Sequence, residues 1–207
     1  MFKKSFPIAI FIAIILLNVF AATPSHAKME PGPGTGYATI YISPQTNNFT
    51  SPPTTVGTKF TVQVRLHNYT HVAAWQVKLV FDKSLLNITL PSTDVSYASD
   101  HVFPPGTYSP IPGSVSDFNS THIYVMMTAA TFGSAEYSGM DAGLMRVQFT
   151  IIKTPDRAKK LSCPLWIEPI DTWTTDTNID ENSEERIDGL YEIVSSIPPH
   201  RLLHQQK

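Results

Sequence analysis

The stretch that decides the fold is Phe60-Thr-Val-Gln-Val-Arg-Leu-His67. Phe60, Val62, Val64 and Leu66 fall on one side of an extended chain, and Thr61, Gln63, Arg65 and His67 fall on the other. Apolar and polar residues alternating with a period of two mark a strand with one face on a core and one in water, as in antiparallel sheets. The same period returns in Trp75-Gln-Val-Lys-Leu-Val-Phe81, where Trp75, Val77, Leu79 and Phe81 read inward and Gln76, Lys78 and Val80 outward. It returns again where Val147, Phe149 and Ile151 alternate with Arg146, Gln148 and Thr150. Shorter strands are predicted at Ala38–Ser43, Leu85–Leu90, His122–Ala129, Leu161–Ile167 and Leu190–Val194. The best helical window, Pro155–Leu161, amounts to one or two turns. The expected fold is all-β: a two-sheet antiparallel sandwich of about nine strands with Pro, Gly, Asn and Asp in its connections.

Composition agrees with that class and removes others. The 207 residues carry 15 Lys+Arg against 17 Asp+Glu, a net charge of −2. A nucleic-acid binder needs a cationic face to displace counterions from phosphates, and this balance supplies none. The chain is long enough for one domain with its own core. Its single cysteine, Cys163, allows no intrachain disulfide and alternates with Leu161, Leu165 and Ile167, so it reads as a buried, inert thiol.

The first 27 residues read as an address rather than as structure. Lys3 and Lys4 precede an apolar run from Pro7 to Phe20, and Ser25-His26-Ala27 gives a small-residue exit, the layout of a secretory signal peptide. The run is shorter than the roughly 20 residues a spanning helix needs. The expected limits are 1–27 for the signal peptide, 28–36 for a Pro/Gly linker, 37–195 for the sandwich and 196–207 for a short tail. Export to the cell exterior follows from that reading.

Four segments stand in order along the chain: Val56-Gly-Thr-Lys-Phe-Thr-Val-Gln-Val-Arg-Leu-His-Asn68, then Ala74-Trp-Gln-Val-Lys-Leu-Val-Phe-Asp82 with the following Lys83-Ser-Leu-Leu86. After these come Tyr137-Ser-Gly-Met-Asp-Ala-Gly-Leu-Met-Arg-Val-Gln-Phe-Thr-Ile151 and Ile187-Asp-Gly-Leu-Tyr-Glu-Ile-Val194. Together they resemble a cohesin domain, the jelly-roll β-sandwich related in fold to carbohydrate-binding modules. The stretch from Pro91 to Asn119 departs from the family in being richer in proline. Cohesins bind dockerins through one sheet face. The resemblance therefore implies a non-catalytic module with a dockerin-like protein partner, and an adhesive face made of Gln76, Lys78, Val80, Tyr124, Met126, Arg146, Gln148 and Thr150.

Other chemistries have their own candidates. Trp166 falls out of phase with Cys163 and Leu165, and Trp173 lies in a polar stretch, so both are candidates to stack on a sugar ring in a carbohydrate-binding module. From Asp171 to Glu192 there are eight acids and one base, Arg186. Asp176-Thr-Asn-Ile-Asp180 imitates the opening of an EF-hand loop. Glu181 occupies the glycine position, however, and Ile187 stands where the bidentate Glu belongs, so an EF-hand is excluded. Asp171, Asp176, Asn178 and Asp180 remain as candidate ligands of a structural calcium ion. No Gly-x-Ser-x-Gly or His-Glu-x-x-His motif occurs, and the acids have no apparent cleft, so no enzyme is expected. The third function class open to such a chain is a structural subunit of an extracellular layer. Four Asn-x-Thr sequons, at Asn48, Asn68, Asn87 and Asn119, are candidate glycan acceptors in an exported chain.

Overall fold

A computed structural model describes residues 38–89, 93–178 and 184–196. The signal-peptide and linker readings, and all of the predicted tail except Ser196, lie outside the described residues. Thirteen strands occur among the described residues: β1 (Ala38–Ser43), β2 (Thr46–Ser51), β3 (Lys59–Val72), β4 (Ala74–Asp82), β5 (Leu86–Asn87), β6 (Val95–Tyr97), β7 (Tyr108–Asp117), β8 (His122–Thr131), β9 (Tyr137–Ile151), β10 (Lys160–Ile167), β11 (Trp173–Thr175), β12 (Glu184–Ile187) and β13 (Gly189–Ser195). They form two sheets. One runs β12-β1-β3-β9-β5, with β6 also on β9, and the other runs β2-β13-β10-β4-β8-β7, with β11 also on β4. The all-β sandwich expected from the alternation is the fold of the chain.

The alternation is what holds the sheets together. Ile40, Val62, Val64, Leu79 and Val147, all fully buried, point between the layers. Burying each such side chain contributes about 1.5–3 kcal/mol. Through the middle runs a chain of rings, Phe49–Phe60–Phe149–Phe81, with Tyr191 stacked on Phe60 at 5.4 Å. Cys163 is buried among these apolar groups, and burial pushes its thiol up to about 11.

The strand count exceeds the expected nine for physical reasons. β1 keeps the predicted bounds, and β2, which carries no regular apolar alternation and was not predicted, adds a strand to the other sheet. Each also has a parallel neighbour, β1 with β12 and β2 with β13, so the sandwich is not wholly antiparallel. β7 was hidden by its prolines. Pro110 and Pro112 are tolerated because β7 is an edge strand whose outer N–H groups need no partner, and the register shifts between Ile111 and Ser114. The Leu85–Leu90 strand shrinks to β5, and no helix forms at Pro155–Leu161.

A crossing segment after β6 lies tightly against β9. A Cβ at Gly143 would come within 2.2 Å of the Ala98 Cβ, so only glycine lets the two backbones meet there. The crossing carries Asp100 to the outer side of the first sheet, beside Arg65. It also brings His101 to Trp75, whose Nε1–H donates to His101 Nε2 at 3.1 Å. An indole can only donate, so the His101 proton sits on Nδ1, where the Phe103 carbonyl accepts it at 3.1 Å. Burial depresses the pKa of this imidazole and favours its neutral form.

Candidate functional site

The outer face of the β10-β4-β8-β7 sheet brings five of the eight predicted face residues together. Gln76, Lys78 and Val80 project from β4, opposite Thr128, Met126 and Tyr124 of β8. Trp166 of β10 lies beside Val80, and Trp173 of β11 lies beside Gln76. Both tryptophans proposed as sugar platforms therefore share the face with the predicted partner residues. They are roughly 13 Å apart along β4, at about 3.3 Å per residue.

Lys78 is the centre of this face. Its ammonium lies 4.6 Å from the Tyr124 ring centroid and 5.2 Å from that of Phe118, and 2.6 Å from Asp171 Oδ2. Only 13% of its side chain is exposed, so the stem is buried under rings while the charge is shared between two π faces and a carboxylate. Phe118 stands edge-on against Trp166, with ring centroids 5.4 Å apart and planes at 87°. Val80 is fully buried although its phase is outward. It sits between the Trp166 and Tyr124 positions in the sheet, and a valine sealed on the nominally wet side marks a locally dry patch.

Loop 168–172 fixes one border of the patch. The Lys78 N–H donates to Thr172 Oγ1 at 3.0 Å, and the Glu168 N–H donates to the Lys78 carbonyl at 2.9 Å. Gln76 donates through Nε2 to the Asp171 carbonyl at 3.0 Å and accepts from Thr128 Oγ1 at 3.1 Å. At the tip of the same loop, Ile170 is exposed over 84% of its surface. Phe118, Ile170 and the Asp171 pairing were not found in the sequence. All lie in irregular segments, and no periodic signal told which loop folds over which strand.

Arg146, Gln148 and Thr150 are corrected. They belong to β9, in the other sheet, so they project from the opposite outer face of the sandwich. Arg146 donates to Thr61 Oγ1 at 3.2 Å, Gln148 accepts from Lys59 Nζ at 3.3 Å, and Thr150 pairs with Lys59 in the ladder. The eight residues cannot form one surface.

That opposite face is an ion network. Arg65 lies 2.8 Å from Asp100 and 2.8 Å from Asp141, and it donates to Gln63 at 2.7 Å. Tyr41 donates its hydroxyl to Asp141 at 2.9 Å. The hydrogen bonds from Arg65 hold the Asp141 carboxyl below the usual range; they outweigh the opposing effect of burial, and the weaker hydrogen bond from Tyr41 acts in the same direction as Arg65.

Three of the four proposed calcium ligands, Asp171, Asp176 and Asn178, lie among the described residues. Asp171 stands just before β11 and is paired with Lys78, whereas Asp176 follows β11 and accepts the Asn178 N–H at 2.8 Å. Asp180 lies outside the described residues. No group of three His, Cys, Asp or Glu able to hold a metal occurs among the described residues. The sequons separate as well: Asn48 is exposed on β2, Asn87 on β5 and Asn119 between β7 and β8, whereas Asn68 is half-buried within β3 at a φ of 52°.

No family model matches the chain, and no curated protein matches it. Solved structures do. A non-cellulosomal cohesin of the hyperthermophilic archaeon Archaeoglobus fulgidus is 19% identical, with a TM-score of 0.52 over 77% of this chain and 93% of that one. A Coh-OlpA cohesin, solved in a type I cohesin–dockerin complex from Clostridium thermocellum, is 16% identical, with a TM-score of 0.52 over 77% of this chain and all of that one. The third ScaC cohesin of Acetivibrio cellulolyticus, solved with a ScaB dockerin, is 11% identical with a TM-score of 0.54, over 76% of this chain and 99% of that one. Three cohesins from three organisms thus superpose on the two sheets described above, and the chain has the cohesin fold.

Proposed function

We propose that this chain is an exported, non-catalytic module that binds a protein partner on the outer face of the β10-β4-β8-β7 sheet. One observation carries the reading: the dry patch built from Lys78, Phe118, Tyr124 and Trp166 over Val80. Binding energy concentrates where aromatic rings and a sheltered cation can be fully desolvated by a partner and a polar rim excludes water. Gln76, Ser114 and Ser116 supply rim positions on the neighbouring strands. Two of the neighbouring cohesins were solved with dockerins, which favours a dockerin-type partner. The leader-like run at 1–27 supports an extracellular setting.

The two tryptophans on the same face support a second reading, a carbohydrate-binding module. Titration of the full chain with dockerin-bearing proteins of its host, in calcium, separates them. Protein binding weakened at least tenfold by Lys78→Ala and Trp166→Ala, but within twofold of the parent in Arg146→Ala, is the expected result. Retention on insoluble polysaccharide, lost in Trp166→Ala and Trp173→Ala without protein binding, would replace it with the sugar module. Self-assembly with neither ligand would favour a structural subunit.

A further inference from the structure

The four sequons are alike as motifs and unlike as structures. In an extended strand, side chains two residues apart share a face but stand roughly 6.6 Å apart at the backbone. Asn48 and Thr50 are in that situation within β2, where they pair with Glu192 and Val194. Asn87 is locked in β5 opposite Thr150, and the N–H of its Thr89 donates to the buried Asp94 at 2.9 Å. Asn68 is half-buried inside the long β3 ladder.

Asn119 is different. It opens the exposed Asn119-Ser-Thr121 turn that joins β7 to β8. Its Oδ1 accepts from the Thr121 N–H at 2.9 Å, from Thr121 Oγ1 at 3.0 Å and from the His122 N–H at 2.9 Å. Two of those donors are backbone N–H groups, which can only donate, so they fix which end of the amide is oxygen. The Nδ2 end is thereby directed away from the turn. The sequon hydroxyl is already in contact with the acceptor amide, an arrangement that the extended Asn48–Thr50 pair of β2 does not permit.

A second feature marks the same site. Asp117, two residues before the acceptor, has a side chain 71% exposed and lies 2.6 Å from Lys83. The corresponding residues of the other sequons are Thr46, Leu66 and Leu85. An anionic side chain beside the acceptor offers a cationic subsite of a transferase a contact that these three lack.

The geometry points to Asn119 as a covalent N-glycan attachment site of the folded chain, favoured over Asn48, Asn68 and Asn87. The donor is a polyprenyl-diphosphate-linked oligosaccharide, and the catalyst an oligosaccharyltransferase acting outside the cytoplasm. The Asn119 Nδ2 attacks the anomeric carbon and a C–N bond forms. The bond from that carbon to the diphosphate oxygen breaks, the polyprenyl diphosphate leaves with the electron pair, and one amide proton passes to a base of the transferase. No change of oxidation state occurs. The site does not depend on the docking reading, although the glycan would stand next to Phe118 at the border of that face.

The test presents the folded full chain to a single-subunit oligosaccharyltransferase with its lipid-linked donor and maps glycopeptides by mass spectrometry. The expected result is one glycan per chain, on Asn119. It is lost in Thr121→Ala, kept in Thr121→Ser, and added at least fivefold more slowly in Asp117→Ala. Asn119→Asp also removes it while keeping the oxygen that closes the turn, and an unchanged melting temperature in that variant shows that the fold survived. Transfer to Asn48, Asn68 or Asn87 ahead of Asn119 would overturn the assignment. So would an unmodified folded chain under conditions in which a peptide spanning 115–123 is glycosylated, or failure of both.

Discussion

The two outer faces of the sandwich solve the same problem in opposite ways. Each is the wet side of a sheet whose dry side is the core, and each carries cations. On the β1-β3-β9 face the cation is Arg65, matched by Asp100 and Asp141 at 2.8 Å and surrounded by Gln63 and Tyr41, so its hydrogen bonds are made within the molecule. On the β10-β4-β8-β7 face the cation is Lys78, with one carboxylate and two rings. A network already satisfied in water gains little from a partner that must first disrupt it. Rings around a sheltered ammonium lose little by being covered, because their area prefers to leave water. The faces differ in what they have left to offer.

The comparison breaks first, and most visibly, at Val80. Val80→Ala removes two carbons from a fully buried outward position and is expected to cost about 2–3 kcal/mol in urea unfolding, transfer plus cavity. Thr61→Ala removes a similar volume from the half-buried polar face together with the acceptor of the Arg146 hydrogen bond, and is expected to cost about 1 kcal/mol because the guanidinium can be rehydrated. Equal costs would mean that Trp166, Phe118 and Tyr124 do not seal their face.

Arg65 sharpens the other side. Arg65→Ala should cost about 1–2 kcal/mol, because charge-assisted hydrogen bonds are lost while the partly exposed carboxylates are rehydrated. Arg65→Lys should recover less than half of that loss, since an ammonium cannot reproduce the fork that reaches Asp100, Asp141 and Gln63 together. Full recovery by lysine would show that only the charge matters there. Neither variant is expected to alter partner affinity by more than twofold, as their site is on the far side of the sandwich.

What the residues disclosed and what they withheld follows the range of the interactions. Ala38–Ser43 is a strand with the bounds its alternation predicted, and Phe60, Val62, Val64 and Leu66 face the core as read. That information is local, since a side chain's phase along its own strand needs no knowledge of the neighbours. Which sheet a strand joins is not local. Arg146 and Lys78 are both outward by phase, yet β9 pairs with β3 and β4 pairs with β8, so the two residues face opposite ways. The aromatic patch was half legible for the same reason. Lys78, Val80, Tyr124 and Trp166 carry outward strand phase, whereas Phe118 reaches the patch only through a turn that follows a proline-bearing edge strand.

The smallest effect expected is on acid stability. At the end of the sandwich, Glu136 accepts from the Thr177 hydroxyl at 2.6 Å and the Thr177 N–H at 3.0 Å, and lies 2.8 Å from His71. These contacts, those from Thr177 first, hold its carboxyl at about 2, below its ordinary value of 4.5. A carboxylate whose pKa is lower folded than unfolded stabilises the fold above its unfolded value. That contribution is lost as pH falls from about 4.5 towards 2. The melting temperature should therefore decline across that window, and the decline should be shallower in Glu136→Gln. Asp141, also depressed, adds to the slope in the same direction, so Asp141→Asn should flatten it further. Both carboxylates are partly exposed and screened by water, which keeps the effect below those of Val80 and Arg65. A slope unchanged in the double variant would place the acid-sensitive contacts elsewhere. The ion network would then be a passive covering of its sheet, and the contrast between the faces would rest on the aromatic side alone.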